Sequence, residues 1–106
     1  MSHSQTIATA ANDSFGLEYD HFEGASAAQV AIAIATMIQP FGLVGDQALN
    51  FTADVTDILN GSAIEVAHTV GGHKIEVDIT DNDDVRIAID GEVVGQYDIS
   101  GVELLA

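Results

Sequence analysis

Carboxylates are the chemistry this sequence offers in quantity: 17 Asp and Glu stand against two Lys and Arg in 106 residues, a formal net charge of −15. The densest run is Asp78-Ile79-Thr80-Asp81-Asn82-Asp83-Asp84. Hard oxygen ligands so close together suit calcium, which takes about six to eight of them. Asp78, Asp81, Asp83 and Asp84, with Asn82 beside them, are the candidate ligands. The spacing is not that of an EF-hand, because Asp-x-Asp-x-Asp-Gly followed by a Glu is absent. The same carboxylates suit a different task, the recognition of a basic protein surface. Residues two apart on a strand lie about 6.8 Å apart, close to the separation of successive phosphates on one nucleic-acid strand, whose axial component is about 3.4 Å. Glu76 and Asp78, continued by the loop acids, would therefore imitate a short phosphate track, which Asp46, Asp54 and Asp57 on a helix could extend.

Other chemistries find little support. With no cysteine there is no disulfide, thiolate metal site or thiol nucleophile. No Ser stands in a nucleophile elbow, and acids are too abundant for any pair to mark a general acid and base. The expectation is a protein that is not an enzyme and uses no cofactor. His68 and His73 fall diagonally across a hairpin, at about 7–8 Å. With His21 or a carboxylate they could hold a metal, but histidines hydrogen-bonded at the end of a sheet are the simpler reading.

The elements that position these groups are legible. Residues 62–99 read as a β-meander of four short antiparallel strands. Apolar residues alternate on both sides of Gly71-Gly72, a two-residue turn that supplies positive φ without steric cost. Val70 then faces His73, Val66 faces Val77 and Ile64 faces Ile79. Keeping Ile79 beside Val85, and Ile89 beside Val93 across the turn Asp90-Gly91-Glu92, continues one apolar face through Ile87, Tyr97 and Ile99. The opposite, solvated face carries three rows: Glu65, Asp78, Arg86 and Gln96; then Ala67, Glu76, Ala88 and Val94; then Thr69, Lys74, Asp90 and Glu92. Both bases fall on that face beside acids. Glu65 faces Asp78, a like-charge pair that costs stability unless something bridges it, and Asp81, Asp83, Asp84 and Asp98 gather at the same pole.

Ahead of the meander, Ser26-Ala-Ala-Gln29 has capping-box spacing and opens a run whose stripe is Ala27, Val30, Ala31, Ile34, Met37, Ile38 and Phe41, closed by Pro40. Asp46 can cap a second helix with buried Ala48, Phe51, Thr52, Val55, Ile58 and Leu59, stopped at Asn60-Gly61. Asp54 and Asp57 lie on its other face. Phe15, Leu17 and Tyr19 alternate with polar residues as in a short extra strand, residues 1–12 read as a flexible arm, and Val102, Leu104 and Leu105 suit a docked tail. The expected fold is α+β in a single domain, residues 1–106: two helices on one face of a four-stranded antiparallel meander, with room for a short N-terminal strand.

The apolar fraction of 47% separates the chain from disordered acidic tails. An average domain is about 25% charged, on the order of 13 acids and 13 bases at this length, so the imbalance is mainly missing Lys and Arg. Such a surface repels nucleic acid and anionic membranes and attracts basic proteins. No run is long enough to span a membrane, and no basic n-region opens the chain. In size and charge the chain is similar to small acidic proteins that phages encode against CRISPR and restriction enzymes, a likeness that no motif carries. It implies a cytoplasmic binding protein in a prokaryotic host that covers the basic nucleic-acid-binding surface of another protein, through Glu65, Glu76, Asp78, Asp81, Asp83, Asp84, Asp98, Asp54 and Asp57. The alternatives are an extracellular or virion structural module stabilised by calcium, and a domain whose acidity reflects a salty solvent.

Overall fold

A computed structural model describes residue 5 and residues 21–103. The arm at 1–12, the alternation at Phe15–Leu17–Tyr19 and the apolar Leu104 and Leu105 lie outside the described residues. Strand β1 (His21–Ser26) leads into helix α1 (Ala27–Ile38), a 3-10 turn (Gln39–Phe41) and helix α2 (Gly45–Leu59). Strands β2 (Glu65–Val70), β3 (His73–Ile79), β4 (Asp84–Ile89) and β5 (Glu92–Glu103) follow. The sheet order is β1-β5-β4-β3-β2: the four later strands form the antiparallel meander, and β1 adds parallel to β5.

The local chemistry explains each boundary. Ser26 caps α1 through its Oγ, which accepts from the Gln29 amide, while the Gln29 side chain accepts from the Ser26 amide at 2.8 Å. Pro40 is the second residue of the 3-10 turn, and Gly42 closes it in the left-handed region. Helix α2 begins two residues earlier than an Asp46 cap requires: Val44 is the N-cap, with no side-chain bond. Asp46 lies inside the first turn instead, where its charge suits the positive end of the helix dipole. The stop is the expected one. Gly61 has φ +80, its amide donates to Ile58 and the Ser62 amide reaches back to Asp57 at 2.8 Å, a Schellman closure.

The meander register holds through β2, β3 and β4 and along β5 from Gly95 onward. Glu65 pairs with Asp78, Val66 with Val77, Val70 with His73, Ile79 with Val85 and Arg86 with Gln96. Two apolar placements differ from the pattern. Ile64 precedes β2 and is 89% exposed, because the strand begins only at Glu65. Val93 is 49% exposed while Val94 is 7% exposed, the reverse of the alternation. The cause is the turn. Asp90 and Gly91 both take positive φ, so the connection has two residues and sets Ile89 opposite Glu92. A bulge then inserts one extra residue, so that Ala88 faces Val93 and Ile87 faces Gly95. Val94 turns into the core, and Tyr97 and Ile99 return to the inner face. Asp90 belongs to the turn and not to the outer-face row.

The core lies between the inner face and the helices. Val30, Ile34, Met37 and Ile38 of α1 and Phe51, Val55, Ile58 and Leu59 of α2 are buried with Val70, Ile75, Val77, Val85, Ile87 and Ile89. The β2–β3 turn is pinned to the helical layer. A Cβ built on Gly71, at φ +56, would lie 2.0 Å from the Phe41 carbonyl oxygen, so only glycine allows this approach.

Candidate functional site

The acidic end of the sheet is assembled by strand direction. Glu65 opens β2, Asp78 stands near the end of β3 and Asp84 opens β4, while Asp98 lies well along β5; the β3–β4 connection carries Asp81 and Asp83. Glu65 and Asp78 are direct cross-strand neighbours, as are Asp84 and Asp98. Since side chains alternate along a strand, all four project to the outer face with Glu76.

The connection itself is ordered by Thr80. Its amide donates to the Asp84 carbonyl at 2.9 Å, and its hydroxyl accepts from the Asp84 amide at 3.2 Å. Asp83 takes φ +60, a region open to Asp and Asn more than to most residues. Its carbonyl accepts from the Ile99 amide, which ties the loop to β5.

Both bases are engaged on the outer face. Arg86 Nε donates to Asp78 Oδ1 at 3.0 Å and Nη2 to Oδ2, a bidentate pair. Asp78 holds the guanidinium above its ordinary pKa, through the hydrogen bonds first and the opposite charge second. Lys74 Nζ stands 3.8 Å from Glu76. Glu76 and Asp78, the first members of the phosphate-like track, are therefore neutralised within the chain. Asp84 accepts from Gln96 Nε2 at 2.8 Å. Among the described residues, Glu65, Asp57, Asp81 and Asp83 have no ion pair.

The two helix acids part ways. Asp54 Oδ2 is 2.8 Å from His68 Nε2, and the His68 ring packs edge-on to Phe51 at 5.3 Å. His73 Nδ1 meets Asp90 Oδ2 at 2.7 Å and its ring packs against Phe41. Each histidine is thus held by a carboxylate and an aromatic ring, and the two do not face a common point. The side chain of His21 lies outside the described residues. Asp57 joins Asp54 and Glu65 around a cleft of about 260 Å³ between α2 and β2, completed by Ala63, Val66 and Ala67. Among the described residues, no group of three or more His, Asp or Glu is arranged to hold a metal ion, so the Asp78, Asp81, Asp83 and Asp84 side chains do not converge as a preformed cage. No helix among them is long and apolar enough to cross a membrane.

Sequence reasoning missed two things here. Gln47 Nε2 donates to the Thr69 carbonyl at 2.6 Å, tying α2 to β2. Asp54, on the helix face opposite the hydrophobic stripe, still reaches an inner-face histidine. Both contacts join residues far apart in the chain, and periodicity within one element carries no signal for them. No protein-family model, curated protein or solved structure matches the chain. What fold and site define is a class: a small α+β domain with an acidic sheet end and an acid-lined helix–strand cleft.

Proposed function

We propose that this is a non-enzymatic acidic binding protein that covers the basic, nucleic-acid-binding surface of another protein, as an inhibitor of the kind phages and mobile elements use against CRISPR or restriction systems in the host cytoplasm. The observation that carries the reading is the distribution of charge at the acidic end. Among the described residues Glu65, Asp81, Asp83 and Asp57 hold no ion pair, while the charge of the single Arg86 is already taken up by Asp78. Like charges kept together work against folding, and their attraction for a basic groove is the compensating gain. The paired Glu76 and Asp78 contribute shape and position, and the unpaired acids around them contribute the attraction.

The test is capture of partners from a prokaryotic lysate with chelator present, elution in a salt gradient, and competition with DNA or RNA. A stoichiometric nucleic-acid-binding protein, released by salt and displaced by nucleic acid, supports the reading. Glu65→Gln with Asp81→Asn and Asp83→Asn should lower the eluting salt concentration while leaving the melting temperature in place. Capture that ignores salt, or that survives these substitutions unchanged, refutes it. A calcium-dependent rise in melting temperature would favour the structural-module alternative instead.

A further inference from the structure

We propose that the outer edge of β2 is a strand-docking site, at which an extended segment of a basic polypeptide adds to the sheet as a sixth strand. The inference rests on the reading of this protein as a binder of basic partners, and it names the mode of binding and the chemistry of the bound segment.

The argument begins with the hairpin. In an antiparallel pair, residues alternate between those that exchange both hydrogen bonds with the neighbour and those whose amide and carbonyl face away. Val70 and His73 bracket the two-residue turn and form the bonded pair. His68 and Val66 follow as bonded residues, and Thr69, Ala67 and Glu65 face away from β3. Two contacts fix this phase independently. The Thr69 carbonyl, on the outside, accepts from Gln47 Nε2 at 2.6 Å. Lys74, opposite Thr69, spends its amide and carbonyl on Asp90 on its other side, both at 2.9 Å. Since β2 is the last strand of the sheet among the described residues, the amides and carbonyls of Glu65 and Ala67 open outward.

The cleft along this edge supports the same conclusion. Glu65 and Ala67 belong to the outer face and Val66 to the inner one, so a cleft lined by all three runs along the rim of the strand. Its far wall is α2, with Asp54 and Asp57. A groove between a sheet edge and a helix is a recurring geometry for strand addition, in which main-chain bonds give affinity and alternate side chains give specificity. Here the charge is specific. The three carboxylates face the rim without a base among the lining residues, and both of the chain's bases are engaged on β3 and β4. Lys or Arg at one set of alternate positions of the incoming strand would meet Glu65, and at the other set Asp57, with Asp54 beside it already hydrogen-bonded to His68. A second copy is a poor occupant, since two β2 edges would bring two acid-lined clefts together at −15 per chain.

The test uses the whole protein and two amide-capped eight-residue peptides of equal charge, one alternating lysine with threonine, the other the same sequence N-methylated at every backbone amide. N-methylation removes the donors a strand needs whichever set of residues faces the edge. Hydrogen exchange followed by NMR reads the Glu65 and Ala67 amides directly. The expected result is at least tenfold slower exchange at both with the lysine–threonine peptide, reduced by salt, and no slowing with the N-methylated peptide. Ala67→Pro removes one outward amide while sparing the β2–β3 ladder, as edge positions tolerate. It should weaken the lysine–threonine peptide at least tenfold; should it fail to fold, the exchange data decide alone. Equal effects of both peptides, unchanged Glu65 and Ala67 exchange, undiminished peptide binding by folded Ala67→Pro, or concentration-dependent protection without peptide would each overturn the proposal. Capture of a basic nucleic-acid-binding protein that Ala67→Pro leaves unchanged would overturn edge docking and leave the functional reading standing.

Discussion

Gly71 and Gly72 are adjacent, both have positive φ, and their surroundings differ so sharply that the pair tests how the hairpin is held against the helices. A Cβ on Gly72, at φ +82, would meet nothing within 4 Å. Alanine there bears only the cost of left-handed backbone, about 1–2 kcal/mol, offset by about 0.4–1 kcal/mol from the stiffer unfolded chain. The net loss should be about 1 kcal/mol. At Gly71 the same backbone cost applies, and the new Cβ falls 2.0 Å from the Phe41 carbonyl oxygen. Neither partner is a flexible side chain, so the turn and the 3-10 segment must separate by roughly 1.4 Å to reach ordinary contact. Forced displacements of packed groups cost about 1–3 kcal/mol, which brings Gly71→Ala to about 3 kcal/mol. Urea unfolding should show the two midpoints well apart with unchanged slope. At roughly 4–8 °C per kcal/mol for a domain near this size, the melting temperatures should differ by more than about 8 °C. Equal losses would refute the close approach, and with it the account of how the β2 edge is held beside α2.

Two further outcomes are expected. Val94→Ala should cost about 1–2 kcal/mol, from two buried carbons at about 0.8 kcal/mol each, and Val93→Ala less than about 0.5 kcal/mol; the reverse order in denaturant unfolding would return β5 to simple alternation and remove the bulge. Arg86→Gln leaves Asp78 beside Glu65 with no neutralising partner, so stability should fall, and fall less as salt screens the two carboxylates. Because Asp78 raises the guanidinium's pKa above its ordinary value, the pair's contribution is fully present below that ordinary value and is lost only as pH rises through the raised one. The loss in Arg86→Gln should therefore stay constant from neutral into mildly alkaline pH.

Much of the fold was legible because its signals are local. Gly71-Gly72 marked a turn, alternation on either side set the register to Val66 opposite Val77, and Ser26 with Gln29 marked the start of α1. These depend on residues a few positions apart, where backbone sterics and side-chain reach decide the outcome. The errors fall where one residue changes the phase. Asp90-Gly91 closes β4 onto β5 with two residues where three were expected, and the bulge at Val93-Val94 restores the inner face afterwards; alternation alone cannot reveal an inserted residue in a run of two valines. Asp46 has the chemistry of a cap, but the chain enters α2 one residue before it. The outer-face row Glu65, Asp78, Arg86 and Gln96 was readable from register, whereas the pairing of Asp54 with His68 and the cleft shared by Asp57 and Glu65 depend on how α2 lies against β2.

The placement of the two bases separates charge the fold needs neutralised from charge it does not. Asp78 faces Glu65 as a pair that does not share hydrogen bonds, the closer of the two antiparallel spacings, at about 4.5 Å between Cα atoms, so a cation that neutralises one of the two has a structural reason. Arg86 supplies it, paired with Asp78 from the β4 side. No comparable reason attaches to Glu65 itself or to Asp57, Asp81 and Asp83, whose side chains hold no ion pair among the described residues and stand exposed. Replacing these four with Gln or Asn keeps their shape, keeps a side chain tolerant of positive φ at Asp83, and removes four like charges from one region. Each exposed substitution should change stability by no more than about 0.5 kcal/mol, and the combined effect should be neutral or stabilising in dilute buffer as self-repulsion falls. Binding of a basic partner should be lost in the same protein. Measured side by side, unfolding and capture distinguish the readings: a variant that melts no lower and no longer binds assigns these acids to recognition, whereas one that unfolds more easily shows that they serve the fold.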